Sequence, residues 1–409
     1  MTEHTLFYII IGIIVFDFLL ERFLGYLNYT WYSKEIPEEL ADIYDKEEYE
    51  KSQRYKMVNY KFGLLSSTFS FVLLLAFLFL DGFKIVNDIA QSLTDHYILT
   101  ALVFFGIIGI ASEIISLPFS LYQTFIIEER FGFNKTTFKT YIFDKIKGYF
   151  LGVLIGGGIL ALIIWIYFQT QENFWWYVWI LIFSFSLLMN MFYSKLVVPL
   201  FNKQAPLEEG SLRDKIAVYA KNTGFHLDKI FVIDGSKRST KANAYFSGFG
   251  SEKRVTLYDT LIDKLSEEEI VAVLAHEVGH YRKKHIIYNL IASAVTTGLT
   301  LYIFSLVVDS DLLAGALGIK EVSFHIGLVA FGLLYSPIST ITGILMNLLS
   351  RRFEYQADEF AKETYSHEPL IAALKKLSKT SLSNLTPHPW YVWFHYSHPS
   401  LLQRISAMK

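Results

Sequence analysis

The chain has 409 residues, a formal net charge of -2 at pH 7 and no cysteine. Near-neutrality leaves no electrostatic footprint for nucleic acid, and the missing thiols exclude disulfides, thiolate metal sites, a cysteine nucleophile and S-acylation. With 52% hydrophobic residues and a mean hydropathy of +0.33, the chain is too apolar for an ordinary soluble enzyme.

Seven stretches are long enough to cross a hydrocarbon core of about 30 Å: 5–27, 62–83, 97–126, 149–168, 174–195, 286–308 and 325–349. Met1-Thr2-Glu3-His4 has no basic n-region, so the first reads as an uncleaved anchor rather than a signal peptide. Asp17 and Glu21 in the first span, Glu113 in the third, Asn190 in the fifth and Asn347 in the seventh are expected to face protein or a water-filled cavity. Glu21, beside Arg22, also suits an interfacial end. Gly156-Gly157-Gly158 permits close helix packing, and Trp175, Trp176, Tyr177 and Trp179 resemble an interfacial aromatic belt. The polar, acid-rich 28–61 segment is expected to be helical. Basic residues crowd 28–61, 127–148, the ends of 196–285 and Arg351-Arg352, whereas 84–96 holds only Lys84, 309–324 only Lys320 and 169–173 none. The positive-inside bias then places the N-terminus outside, and the C-terminus and the 196–285 segment in the cytoplasm.

Within 196–285, residues 229–233 and 254–258 read as strands, with Ala242-Asn243-Ala244-Tyr245-Phe246 between them. Two roles fit such a strand: binding an extended peptide through main-chain hydrogen bonds, or propping the helix that follows. That helix starts at a capping box, Ser266 and Glu269, and carries His276-Glu277-Val278-Gly279-His280, an H-E-x-x-H. Residues i and i+4 share a helix face, so His276 and His280 can reach one metal ion. Zinc on two histidines and one carboxylate keeps a fourth position open for water, lowers that water's pKa, and lets Glu277 take its proton. Lys283 and Ile286 stand where a metzincin would place its glycine and third histidine, so the third ligand comes from elsewhere. The zinc helix is expected to run on into the sixth span.

The seventh span continues into a segment where Glu354 and Asp358, four apart, share a face. Glu354 lies about 7 Å past the membrane end of its helix and His280 is similarly close on the other, which puts the metal at the membrane surface or just within it. Glu354 is the natural third ligand and Asp358 its supporting partner. The neighbouring face, with Glu359 and Glu363, remains an alternative. The tail holds His388, His395 and His398 in an aromatic-rich run, followed by Arg404. The chain thus divides into 1–195 (spans one to five with cytoplasmic loops), 196–285 (cytoplasmic zinc-protease insert), 286–349 (spans six and seven) and 350–409 (cytoplasmic C-terminal part of the protease domain).

Taken together, Phe131-Gly132-Phe133-Asn134-Lys135, Pro199-Leu200-Phe201-Asn202-Lys203, Asn243-Ala244-Tyr245-Phe246, the H-E-x-x-H, Glu354-x-x-x-Asp358, and His395-Tyr396-Ser397-His398-Pro399 with Arg404 resemble the CaaX prenyl protease 1 family, Ste24-type integral-membrane zinc metalloproteases. The resemblance implies a mainly α, polytopic membrane protein. Its seven transmembrane helices would enclose a water-filled chamber, lined in part by Glu113 and Asn190, beneath a gluzincin-like domain with a small β-sheet. It implies one zinc ion on His276, His280 and Glu354, with Glu277 as general base. Asn243 would hold the substrate backbone, and His398 and Arg404, with Asp358, would complete the site. His398 would donate to the oxyanion; capping the next helix is its structural alternative. The implied substrate is a peptide or prenylated-protein C-terminus, which family members trim of its last three residues, some with a further upstream cut.

Ser406-Ala407-Met408-Lys409 carries no dilysine retention signal. The Lys/Ile/Phe/Tyr-rich composition suits a bacterial inner membrane; in a eukaryote the resemblance implies the endoplasmic reticulum or inner nuclear membrane. Two other functions compete: an HtpX-like quality-control protease, against which seven spans argue, and a non-enzymatic chamber or transporter with structural zinc, which has no use for Glu277.

Overall fold

The computed structural model describes residues 1–32, 34–225, 229–248 and 253–409. Among them, five helical stretches are long and apolar enough to cross a membrane: Lys46–Phe79, Tyr97–Glu128, Phe138–Phe201, His285–Ser305 and Phe324–Thr364. Helix α1 (Glu3–Thr30) covers the first expected span, with Thr2 accepting from the Thr5 N–H as N-cap. Helix α2 (Lys46–Phe79) opens on a capping box of Asp45 and Glu48 and runs from polar into apolar sequence without a break.

Helix α3 (Gly82–Leu93) occupies most of what the hydropathy marks as a loop, 84–96. Phe83, Val86, Asn87 and Ala90 are buried on one face, a helical 3–4 spacing that low mean hydropathy conceals. Helix α4 (Tyr97–Tyr122) extends through a π-turn to Glu128. The long Phe138–Phe201 run contains α5 (Phe138–Leu151), α6 (Gly158–Thr170), α7 (Phe174–Leu196) and α8 (Val198–Phe201). Gln171, at φ 50°, separates α6 from α7, and the two pack together. The glycine triplet does not serve helix contact: a Cβ at Gly156, Gly157 or Gly158 would meet nothing within 4 Å. It lies instead at a π-helical turn, Gly152–Gly157.

A four-stranded sheet follows, formed by β1 (Gln204–Pro206), β2 (Ile230–Ile233), β3 (Ala244–Ser247) and β4 (Arg254–Tyr258) in the order β1-β2-β4-β3. Strands β2 and β4 are parallel, with Ile230 opposite Val255, and both outer pairings are antiparallel. Strand β3 is an edge, as expected; three-residue β1, ending in a proline, gave no alternation to read. Helices α9 (Ser211–Asn222), α10 (Asp259–Ile262) and α11 (Glu267–Arg282) complete this region.

The expected continuity of the zinc helix with the sixth span fails. Helix α11 closes as the Lys283 and Lys284 N–H groups bond back to Gly279 and Tyr281 carbonyls. Lys284 is left-handed at φ 59°, and α12 (His285–Ser305) starts in a new direction. Short α13 (Asp311–Ala316) leads to the 41-residue α14 (Phe324–Thr364), then α15 (His367–Thr380), α16 (Pro389–His395) and α17 (Leu401–Met408). One core joins Val255 and Leu257 of β4 to Ile270, Leu274 and Val278 of α11, Ala361 of α14, Leu370 of α15 and Met408 of α17. Thus the end of α14 and the tail fold onto the 204–282 region around a shared apolar interior.

The intramembrane polar groups have partners. Glu113 pairs with Lys145 of α5 at 2.8 Å, Asp17 accepts from the Ser336 hydroxyl, and Asn347 donates to the Phe394 carbonyl at 2.8 Å. Asn190 is exposed and bonds within its own helix, to the Ser186 carbonyl. Arg238 grips Asp144 with two hydrogen bonds, 2.7 and 2.9 Å, and Lys241 reaches Glu128 at 3.0 Å, tying the sheet region to α5 and the end of the α4 run.

Candidate metal centre

Helices α11 and α14 pack together, and Gly279 sits at a close approach between them. A Cβ built on Gly279 would lie 3.0 Å from Ala357 Cα and 3.1 Å from Ala357 O. Glu354, one turn before Ala357, therefore meets the histidine face of α11. The Nε2 atoms of His276 and His280 are 3.1 Å apart. Glu354 Oε1 stands 3.2 Å from His280 Nε2, and Oε2 stands 3.5 Å from His276 Nε2. One ligand atom from each of the three residues lies within 4.8 Å of the other two. The alternative face is turned away: Glu359 and Glu363 are exposed, and Glu359 sits 3.9 Å from Lys362.

These atoms fit a divalent ion. Glu354 Oε2 is buried and makes no hydrogen bond, with the Arg404 guanidinium 3.4 Å away as an ion pair, so a lone pair is left for a metal ion. Two imidazole nitrogens and a carboxylate oxygen form the donor set of an open, three-ligand site.

Around them lies a second layer of contacts. Asp358 Oδ1 is 2.9 Å from His276 Nδ1, so it holds the Nδ1–H tautomer and leaves Nε2 bare. Arg404 donates to both Asp358 oxygens, at 2.8 and 2.6 Å, and its Nη1 is 3.4 Å from Glu354 Oε2. Burial would lower the Arg404 pKa, but its bonds to Asp358 and the charges of Asp358 and Glu354 prevail and raise it, so the guanidinium stays charged. The same competition raises His280: burial opposes the charged form, and the Glu354 carboxylate outweighs it. Helix α17, which carries Arg404, is set by a Ser400–Gln403 capping box.

His398 Nε2 is 3.3 Å from Glu354 Oε1, and the side chain is 61% exposed. Its Nδ1 is 2.9 Å from the Ser397 hydroxyl. The capping alternative for His398 fails, because Ser400 is the cap of α17. Glu277 is half-buried beside His276, close enough for its charge to act on His280 and Arg404. Asn243 is exposed and immediately precedes β3; its carbonyl accepts from Tyr258 N–H, and its Oδ1 from Ala244 N–H at 2.9 Å. Strand β3 packs against α11, the helix that carries the histidines.

Sequence reasoning missed two residues at this centre. His285 Nδ1 is 3.1 Å from His280 Nδ1, and His285 Nε2 is 2.8 Å from Gln356 Oε1. The available signal was a third histidine five residues after the H-E-x-x-H, but on an unbroken helix that spacing points away from His280.

Residues 26–203 match the family model described as CAAX prenyl protease N-terminal, five membrane helices, and residues 206–409 match peptidase family M48. The CAAX prenyl protease 1 of Saccharomyces cerevisiae is 36% identical over 98% of this chain and 94% of its own length. The CAAX prenyl protease 1 homolog of Oryza sativa is 38% identical over 91% of this chain and 90% of its own. The crystal structure of S. mikatae Ste24p superposes with a TM-score of 0.94 at 35% identity, covering 99% of both chains.

Proposed function

We infer the activity of this chain from one premise: it belongs to the CAAX prenyl protease 1 family, within peptidase family M48. It is an integral-membrane metalloendopeptidase that processes CaaX-type C-termini. The observation that carries this reading is the convergence of His276, His280 and the buried carboxylate of Glu354 on one point.

The ion is zinc, held by His276, His280 and Glu354. When bound, it supplies a Lewis acid for the scissile carbonyl and acidifies a water. The chain's own residues do the rest. Glu277 takes the proton of the attacking water and returns it to the leaving amine. His398 donates to the oxygen that gains charge as the peptide carbon becomes tetrahedral. Asp358 holds His276, and Arg404 neutralises the pair of carboxylates around it. The free edge of β3, with Asn243, aligns the peptide backbone by strand addition.

The substrate is a peptide or prenylated-protein C-terminus reached from the bilayer. Seven transmembrane helices enclose a water-filled chamber; α1 and α7, each spanning an expected segment, and α6, which covers the second half of another and packs on α7, support that count. Residues 1–195 and 286–349 form the membrane part. Residues 196–285 and 350–409 form the protease part, on the cytoplasmic side with the C-terminus, while the N-terminus is outside. The core shared by β4, α11, α15 and α17 supports this division. Full-length similarity to CAAX prenyl proteases weighs against an HtpX-like quality-control role. Mass spectrometry of farnesylated and unmodified CaaX peptides, incubated with purified protein with and without chelator, tests the reading. Loss of three residues from the farnesylated peptide, abolished by chelator, is expected; both peptides remaining intact under conditions where the metal is bound would refute it.

A further inference from the structure

We propose that Gln356 and His285 are positioning residues that set the tautomer of His280, and so the metal affinity of the centre. The proposal rests on the reading of His280 as a metal ligand.

The geometry starts with the break after α11. On a continuous helix, residue i+5 lies about 140° around the axis from residue i. His285 nevertheless places Nδ1 3.1 Å from Nδ1 of His280, because left-handed Lys284 ends one helix and redirects the next. His285 is 1% exposed and stacks on Phe353, with ring centres 4.2 Å apart and planes 11° from parallel. Water therefore cannot stand in for its hydrogen bonds.

Proton accounting then fixes each nitrogen. Gln356 Oε1 only accepts, so His285 Nε2 carries the hydrogen of that 2.8 Å bond. A neutral imidazole has one N–H, which leaves His285 Nδ1 as an acceptor. His280 Nδ1 must donate to it. The lone pair of His280 then resides on Nε2, the atom that faces His276 Nε2 and Glu354. If His285 adopted its other tautomer, the chain of bonds would reverse, and a hydrogen on His280 Nε2 would point into the ligand cluster. Gln356 favours the first arrangement with its carbonyl oxygen toward His285, as it stands here; turned over, its NH2 would favour the second.

The two histidines thus have different supports. His276 leans on a charged pair, Asp358 and Arg404, and His280 on a neutral relay, His285 and Gln356. Helix α14 supplies the third ligand and one anchor for each support, at Glu354, Gln356 and Asp358.

The test uses the full-length purified protein and measures zinc affinity by chelator competition, the visible spectrum of the Co(II)-substituted form, and thermal stability. Gln356→Leu and His285→Phe are each expected to weaken metal binding about 10- to 100-fold and to shift the cobalt bands. The double variant is expected to lose no more than His285→Phe alone, because Gln356 acts through His285. Gln356→Glu still accepts from His285 Nε2–H and should stay within a few-fold of the parent. Wild-type affinity and an unchanged cobalt spectrum in Gln356→Leu would overturn the relay, even if melting fell; so would losses that multiply in the double variant. Gln356 is only half-buried, so its variant carries the test if His285→Phe fails to fold. His280→Ala separates the two levels: full metal retention there refutes His280 as a ligand, and the relay with it.

Discussion

Gly279 sits between the two histidines, and replacing it with alanine tests whether helix approach builds the centre. The new Cβ would meet Ala357 Cα at 3.0 Å, Ala357 O at 3.1 Å and Phe360 Cβ at 3.2 Å. Two of these atoms are backbone and the third is a Cβ, so no side-chain rotation relieves the contact. Helix α14 must retreat by a few tenths of an ångström. Overpacking of this kind costs about 1–3 kcal/mol. Alanine returns roughly 1 kcal/mol through helix propensity, so the global melting temperature moves little. Metal binding has no such compensation. Glu354 is one turn from the clash, and metal–ligand distances tolerate only about 0.2 Å. If the cost falls on the bound state, affinity drops about 5- to 150-fold. Chelator competition and calorimetry on the same preparations are the assays. A Gly279→Ala protein with wild-type zinc affinity would refute the idea that this close approach places Glu354.

Glu277→Gln is expected to retain metal and lose hydrolysis, since the amide cannot accept a proton; near-native turnover at full occupancy would exclude Glu277 as base. Glu354→Ala should strip the metal while Glu359→Ala should not, as metal analysis of both variants will show. His398→Phe should lower kcat by roughly a hundredfold or more, about 2.7–4 kcal/mol of transition-state stabilisation, with KM and metal content little changed. Early melting with kcat intact would remove His398 from catalysis. Cysteines introduced at Ser92 and Lys320, both exposed, should label only from outside in intact cells. Labelling from the cytoplasmic side alone would invert the topology.

What the sequence determined by itself was local in origin. The Ser266–Glu269 cap, the four-residue spacing of His276 and His280, and the matching spacing of Glu354 and Asp358 are properties of one helix at a time, set by 3.6 residues per turn. The long apolar runs likewise declared membrane helices without reference to neighbours. The ordered motifs were enough to identify the family, and the proposed parts for Arg404, His398 and Asn243 rest on that resemblance. The tertiary structure decided which faces meet. Nothing in the sequence around Glu113 names Lys145, thirty-two positions on, as its partner, and nothing around His280 identifies Gln356. Both contacts depend on how separate helices cross, and that is set by the packing of whole surfaces. The turn at Lys284 is of the same kind. A lysine rarely takes a left-handed backbone on its own account, so the break at exposed Lys284 is not legible as a local preference; it accompanies the burial of His285, the next residue, against Phe353 and His280.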